Sequence, residues 1–172
     1  MTDVLDEAAR LRPGGRIDEA ATLRPVKIAV LTISDTRDLA SDTSGDVLQG
    51  RIEQAGHVLA ARALVRDDVD GIREQVLTWV EGGQVEVIVT TGGTGLTGRD
   101  VTPDAIEPLF DKRMEGFSVV FHLVSYGTIG LSTLQSRATA GLISGVFVFC
   151  LPGSNGACKD GWSVIAPQLD SR

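Results

Sequence analysis

An α/β fold is predicted for this chain: a three-layer α/β/α sandwich around a mostly parallel central sheet. Three observations predict it. Residues 26–33 and 85–91 are near-continuous β-branched and apolar runs, as expected of strands buried on both faces. Two segments with apolar residues at helical spacing stand among the strand-like runs, giving the order β-α-β-α-β. Polar or glycine-rich turns follow the strands at Ser34-Asp35, at Thr91-Gly92-Gly93-Thr94-Gly95 and at Pro152-Gly153-Ser154.

The elements follow in order. Residues 1–24 alternate charge with Ala and Leu and carry Pro13-Gly14-Gly15, so they read as a flexible N-terminal arm outside the core. A short helix over residues 4–11 is compatible with that arm and would suit packing on a neighbouring subunit. Residues 25–172 read as one domain. The first strand, residues 26–33, ends at Ser34-Asp35. Thr43 or Ser44 is placed to cap a helix carrying Val47, Leu48 and Ile52, with Gly56 closing it. A second strand is expected over residues 58–65. Asp67-Asp68 then precedes a helix with Val69, Ile72, Val76 and Val80 on one stripe, stopped by Gly82-Gly83. The third strand covers residues 85–91.

Beyond the glycine loop, Thr102-Pro103 predicts a helix start, with a capping hydroxyl followed by proline at the first helical position. Phe117, Val120, Phe121 and Val124 step at helical spacing and read as a core stripe. Residues 137–143 and 146–151 are two strands joined at Ser144-Gly145, a hairpin signal. The last helix starts near Ser154 and carries Trp162 and Ile165.

Composition narrows the function classes. The chain has 172 residues, 42% of them hydrophobic and 23% charged, which suits one globular domain. A net charge of -7 argues against nucleic-acid binding through a basic surface. Phosphates must then be bound locally, by backbone N–H groups, a few placed cations or a bridging metal. No apolar run is read as approaching the ~20 residues of a membrane span, and the polar start carries no signal peptide. Cys150 and Cys158 form no C-x-x-C pair and read as reduced thiols in or beside the core. A cytoplasmic location is the expectation.

In open α/β sheets ligands bind beyond the carboxyl ends of the strands, and three turns converge there. Three glycines within Thr90-Thr91-Gly92-Gly93-Thr94-Gly95 let backbone N–H groups face a phosphate or a planar ring. The loop is neither a Walker loop nor the dinucleotide G-x-G-x-x-G. Its plainer reading is a glycine-rich turn. Asp67 and Asp100 flank it. Two carboxylates beside a phosphate site repel it unless a cation intervenes, and Mg²⁺ suits that role. Their plainer readings are a helix N-cap for Asp67 or Asp68 and a turn-closing hydrogen bond for Asp100. Arg137, after Ser136, is suited to clamping a phosphate or to a surface ion pair. Ser154 opens a helix, so it serves anion binding or simple capping. His57 and His122 stand alone.

These segments together resemble the MoaB/MogA family of molybdenum-cofactor biosynthesis proteins. The matching stretches are Leu31-Thr32-Ile33-Ser34-Asp35, residues 89–95, Arg99-Asp100-Val101-Thr102-Pro103-Asp104-Ala105, Leu134-Gln135-Ser136-Arg137 and Leu151-Pro152-Gly153-Ser154, spanning about residues 26–170. The closing stretch looks like the MoaB branch. The resemblance implies trimers, or hexamers built as dimers of trimers, and contact with other molybdenum-cofactor enzymes. It implies adenylyl transfer from ATP to molybdopterin with Mg²⁺, giving adenylylated molybdopterin and pyrophosphate. Asp67 and Asp100 match the family's two functional aspartates and would hold Mg²⁺ or align the attacking group. Ser34 and Asp35 would line the nucleotide pocket. The backbone of Gly92 to Gly95, with Thr91, would receive the ligand. Ser136, Arg137, Pro152, Gly153 and Ser154 would complete the pterin and phosphate side. Pro152-Gly153-Ser154-Asn155-Gly156 departs from the MogA-type pattern, so the alternative is a non-catalytic molybdopterin- or nucleotide-binding paralogue acting beside a separate adenylyltransferase.

Overall fold

A computed structural model describes residues 18–172. Six strands form one sheet: β1 (Lys27–Ile33), β2 (Val58–Val65), β3 (Val87–Thr91), β4 (Lys112–Arg113), β5 (Thr139–Ile143) and β6 (Val146–Leu151). The order across the sheet is β2-β1-β3-β6-β5-β4. The pairs β1–β2, β1–β3 and β3–β6 are parallel, and β5 and β4 add an antiparallel edge. The mostly parallel α/β sandwich predicted from the sequence is therefore the fold. Strands β1 and β3 are buried on both faces, which is why their sequences read as unbroken apolar runs.

Among the described residues, five α-helices cover the two faces: α1 (Thr43–Gln54), α2 (Val69–Gly82), α3 (Thr102–Ile106), α4 (Glu115–Ile129) and α5 (Asn155–Leu169). One core joins α1, α4 and α5 to the sheet through Leu48, Ile52, Phe117, Phe121, Trp162 and Ile165. The other joins α2 and α3 through Ile72, Val76, Ala105 and Ile106. Helices thus lie on both sides, and the carboxyl ends of β1, β2, β3 and β6 open onto a common edge.

Several local expectations change for physical reasons. Neither Thr43 nor Ser44 caps α1. Asp42 does, accepting from the Gly45 N–H at 2.9 Å. This carboxylate is wholly buried, and it is matched by the Thr32 hydroxyl at 2.6 Å and the Arg62 guanidinium at 3.0 Å. Thr102 does begin a helix with Pro103 in its first turn, but its hydroxyl makes no cap. It donates instead to the Gly92 carbonyl at 2.9 Å. The strand expected from residue 137 begins at Thr139, because the Arg137 N–H is drawn to the Thr94 carbonyl at 2.8 Å. The two-residue strand β4 is exposed and polar, so it carried no apolar signal.

Helix α4 also differs from expectation. Phe117 and Phe121 are core, whereas Val120 and Val124 are only half-buried. With the 3-10 turn that follows, residues Glu115–Gln135 form a 21-residue helical stretch whose most apolar 18-residue window has a mean hydropathy of 1.4. By length and composition alone it meets the requirement of a membrane span. Its apolarity has two origins: one side packs on the sheet, while Val119, Leu123, Tyr126 and Ile129 point outward and are more than half exposed.

The helix expected over residues 4–11 lies outside the described residues. Residues 18–24 are mostly exposed but touch the body: the Arg24 N–H donates to Ser171 Oγ at 2.8 Å.

Candidate functional site

The loops at the carboxyl edge enclose a cavity of about 490 Å³. Thirteen of the fourteen site residues expected from the sequence line it. Ser34 and Asp35 come from the end of β1, Asp67 from the end of β2, and Thr91, Gly92, Gly93, Thr94 and Gly95 from the end of β3. Asp100 follows the glycine loop, Ser136 precedes β5, and Pro152, Gly153 and Ser154 follow β6.

Arg137 is not on the cavity wall. Its Nε donates to the Gly95 carbonyl at 2.9 Å, its Nη2 to the Asp100 carbonyl, and its Nη1 to Asp104 Oδ2 at 3.0 Å. The planar fork is spent on shaping the glycine loop from behind. It holds that loop and the backbone of Asp100 in place.

The glycine loop is shaped by crowding. Gly92 and Gly93 have φ of +107° and +66°, in the left-handed region where glycine is favoured. Gly92 is pinned on both sides: its N–H donates to the Leu151 carbonyl at 3.0 Å, and its carbonyl accepts from Thr102. A Cβ on Gly153 would stand 3.1 Å from the Gly92 Cα, so the two turns meet backbone to backbone. Among the described residues, the N–H groups of Gly93 and Thr94 have no intramolecular acceptor. They are free to bind an anion.

The three carboxylates differ. Asp35 accepts from Arg99 Nη2 at 2.7 Å and from the Asp67 N–H at 3.2 Å. The Arg99 hydrogen bond chiefly, then that of Asp67, holds its carboxyl below the usual range. Asp100 accepts from the Thr97 hydroxyl at 2.7 Å and the Thr97 N–H at 3.0 Å. Burial pushes its carboxyl up, but these bonds, one from Gly95 and the Arg137 charge together outweigh burial and leave it lowered. The turn-closing hydrogen bond considered from the sequence is therefore present. Asp67 is the opposite case. Among the described residues its carboxylate accepts no hydrogen bond, and burial, followed by the charges of Asp35 and Asp100, raises its affinity for a proton. The N-cap role falls to Asp68, which accepts from the Gly71 N–H at 2.8 Å.

An unpartnered carboxylate near two others would be relieved by a cation beside it. Among the described residues no three acidic, His or Cys side chains converge closely enough to hold a metal alone. Mg²⁺ would fit Asp67 and Asp100 only with substrate oxygens or water completing its shell, its usual habit beside phosphates.

Sequence reasoning missed two arginines of this cavity, Arg37 and Arg99. Arg99 stood inside the Arg99-Asp100 motif and was the available signal; Arg37, in a polar loop, gave none. Ser154 caps α5 through the Ala157 N–H at 3.0 Å while its side of the turn lines the cavity. Cys150 and Cys158 are free and buried. Burial pushes their thiols up to about 12 and about 11, so neither is a ready nucleophile. His57 is buried against Trp162, and His122 bonds the Ser118 and Ser136 carbonyls.

The chain is similar to known proteins over the whole of this fold. Residues 29–171 match a family model described as a probable molybdopterin binding domain. Molybdenum cofactor biosynthesis protein B of Escherichia coli (strain K12) is 46% identical over 149 residues, covering 86% of this chain and 88% of that protein. The protein of the same name from Staphylococcus epidermidis is 44% identical over 140 residues, covering 79% and 80%. A crystal structure of molybdenum cofactor biosynthesis protein B superimposes with a TM-score of 0.84 at 39% identity, covering 87% of this chain and 94% of that one. Glycine loop, flanking aspartates and closing turn thus stand on a shared fold, and the chain belongs to the MoaB branch of the MoaB/MogA family of molybdenum-cofactor biosynthesis proteins.

Proposed function

We propose that this chain acts in molybdenum cofactor assembly as a Mg²⁺-dependent adenylyltransferase, moving the adenylyl group of ATP onto molybdopterin. The observation that carries the reading is Asp67, an unpartnered carboxylate with raised proton affinity, set across the glycine loop from the ionised Asp100. A phosphate oxygen of molybdopterin attacks the α-phosphorus of ATP. The bond from that phosphorus to the bridging oxygen breaks, and the electron pair leaves with pyrophosphate. Both reactants are anions, so neutralisation and alignment dominate catalysis. The Gly93 and Thr94 N–H groups hold phosphate oxygens, with hydroxyls from Ser136 and Ser154 beside them. Arg137 fixes the loop that presents those N–H groups. Mg²⁺ would be held by Asp67 and Asp100 and would supply charge neutralisation.

The test is Asp100→Asn. The variant is expected to keep its fold and lose adenylylated molybdopterin, and unchanged turnover would remove Asp100 from the mechanism. A second reading is favoured by one feature, the Pro152-Gly153-Ser154-Asn155-Gly156 turn that departs from the MogA-type pattern. On that reading the chain binds molybdopterin and nucleotide beside a separate transferase, and binding without product would support it.

The same proposal includes a homo-oligomer, trimer or hexamer. Val119, Leu123, Tyr126 and Ile129 on α4, with Leu131 and Leu134 beyond it, are 51–71% exposed and form an apolar face that a second copy would cover. Ile129, Ser132 and Gln135 from this region also line the cavity, so a neighbouring subunit would sit at its rim. ATP as donor puts the work in the cytoplasm, alongside other enzymes of cofactor assembly.

A further inference from the structure

Resting on the nucleotide-site reading above, we propose that Arg37 is the anchor for the pyrophosphate portion of the nucleotide, at the end of the cavity away from Asp67 and Asp100. Two arginines line this cavity, and they are not equivalent. Arg99 spends Nε and Nη2 on the Asp35 carboxylate, at 3.2 Å and 2.7 Å. Arg37 pairs with no carboxylate among the described residues. Its one side-chain hydrogen bond runs from Nη1 to Ser44 Oγ at 3.2 Å. Nε and Nη2 have no acceptor among the described residues. Arg37 is thus the unneutralised cation of a cavity that also holds Asp35, Asp67 and Asp100. A planar guanidinium with donors to spare is suited to bridging phosphate oxygens.

Its position separates it from the aspartates. Ser44 is wholly buried on α1 and bonds the Gly153 carbonyl at 3.2 Å and Asn155 Oδ1 at 3.1 Å. Arg37 is therefore tied to the α1 and α5 side of the sheet, and its charge is felt at the Cys158 thiol on α5. Asp67 leads into α2, on the other side of the sheet, and feels Arg99 rather than Arg37. The base of the Arg37 loop is fixed too, since the Thr36 and Arg37 N–H groups both donate to Ser34 Oγ. A nucleotide bridging the cavity with its α-phosphate at the aspartates would reach Arg37 with its outer phosphates. The leaving pyrophosphate departs toward Arg37, the cavity cation without a carboxylate partner among the described residues, which offsets the charge it gains as the bond breaks.

The experiment is calorimetric titration of the full chain with inorganic pyrophosphate and, separately, with AMP. Arg37→Gln is expected to weaken pyrophosphate binding about tenfold or more while leaving AMP affinity within about twofold. Arg37→Lys, which keeps the charge and loses the fork, is expected to recover part of the loss. The melting temperature of Arg37→Gln should match the parent, because Ser44 keeps its other two partners. Pyrophosphate affinity unchanged in Arg37→Gln overturns the proposal. So does a parent protein that binds AMP but not pyrophosphate, which leaves the nucleotide-site reading standing. A parent that binds neither probe overturns that reading, and this subsite with it.

Discussion

Asp67 lies against Gly93: a Cβ on that glycine would stand 2.7 Å from Asp67 Oδ1. The carboxylate that carries the proposed function and the loop proposed to receive the ligand are therefore in direct apposition. Gly93→Ala would place a methyl group there and also strain a backbone at φ +66°. Expected is a loss of about 1–2 kcal/mol of stability, read by denaturant unfolding. A larger loss of ligand affinity should accompany it, read by titration with a nucleotide.

The raised proton affinity of Asp67 makes a pH prediction. Its folded value lies above the ordinary 3.8, so its contribution is favourable in acid and is lost as pH rises through the folded value. At neutral pH the ionised group faces Asp35 and Asp100. Asp67→Asn should therefore be as stable as the parent, or more so by a fraction of a kcal/mol after solvent screening. Melting curves from pH 3 to 8 should show the difference vanish in acid, below about the ordinary aspartate value. Added Mg²⁺ should raise the melting temperature of the parent and not of Asp67→Asn.

His57 works in the other direction. Burial lowers its proton affinity below the ordinary 6.5, and its Nδ1 accepts from the Val26 N–H at 3.2 Å, so the ring is held neutral. Its contribution is present above pH 6.5 and lost as pH falls through the lowered value. His57→Leu should flatten the decline of the melting temperature between about pH 6.5 and 5. A decline as steep as in the parent would place its origin elsewhere.

Asp42 and Arg62 form the most buried ion pair among the described residues, with side chains 0% and 17% exposed. Removing one partner leaves the other desolvated and unpaired. Asp42→Ala also strips the cap from α1 and the acceptor from Thr32. A loss of about 3–5 kcal/mol in urea unfolding is expected.

The sequence made the scaffold legible where periodicity and burial agree. The doubly buried β1 and β3 and the proline-led start of α3 were all readable. So was the convergence of three turns at one sheet edge, because strand order in an α/β sheet fixes where loops meet. What could not be read was the partner of each polar side chain. Arg137, read as a phosphate clamp or a surface ion pair, pairs with Asp104 and also holds the loop carbonyls of Gly95 and Asp100. Asp42, never singled out, is the true cap of α1, because the partly buried Arg62 from β2 makes an acidic cap preferable to the neighbouring hydroxyls. Such pairings join residues far apart in the chain and leave no local pattern. The outward apolar side of α4 was hidden for a related reason: spacing marks a helix but not which of its faces meets the sheet.

The cavity walled by Asp67, the glycine loop and Asp100 is proposed to transfer an adenylyl group. The most direct measurement incubates the purified full chain with molybdopterin, ATP and Mg²⁺ and follows adenylylated molybdopterin by mass spectrometry and pyrophosphate by a coupled assay. Equal amounts of the two products are expected, both abolished by Asp100→Asn and by chelating Mg²⁺. Tight binding of molybdopterin and ATP with neither product formed would contradict it.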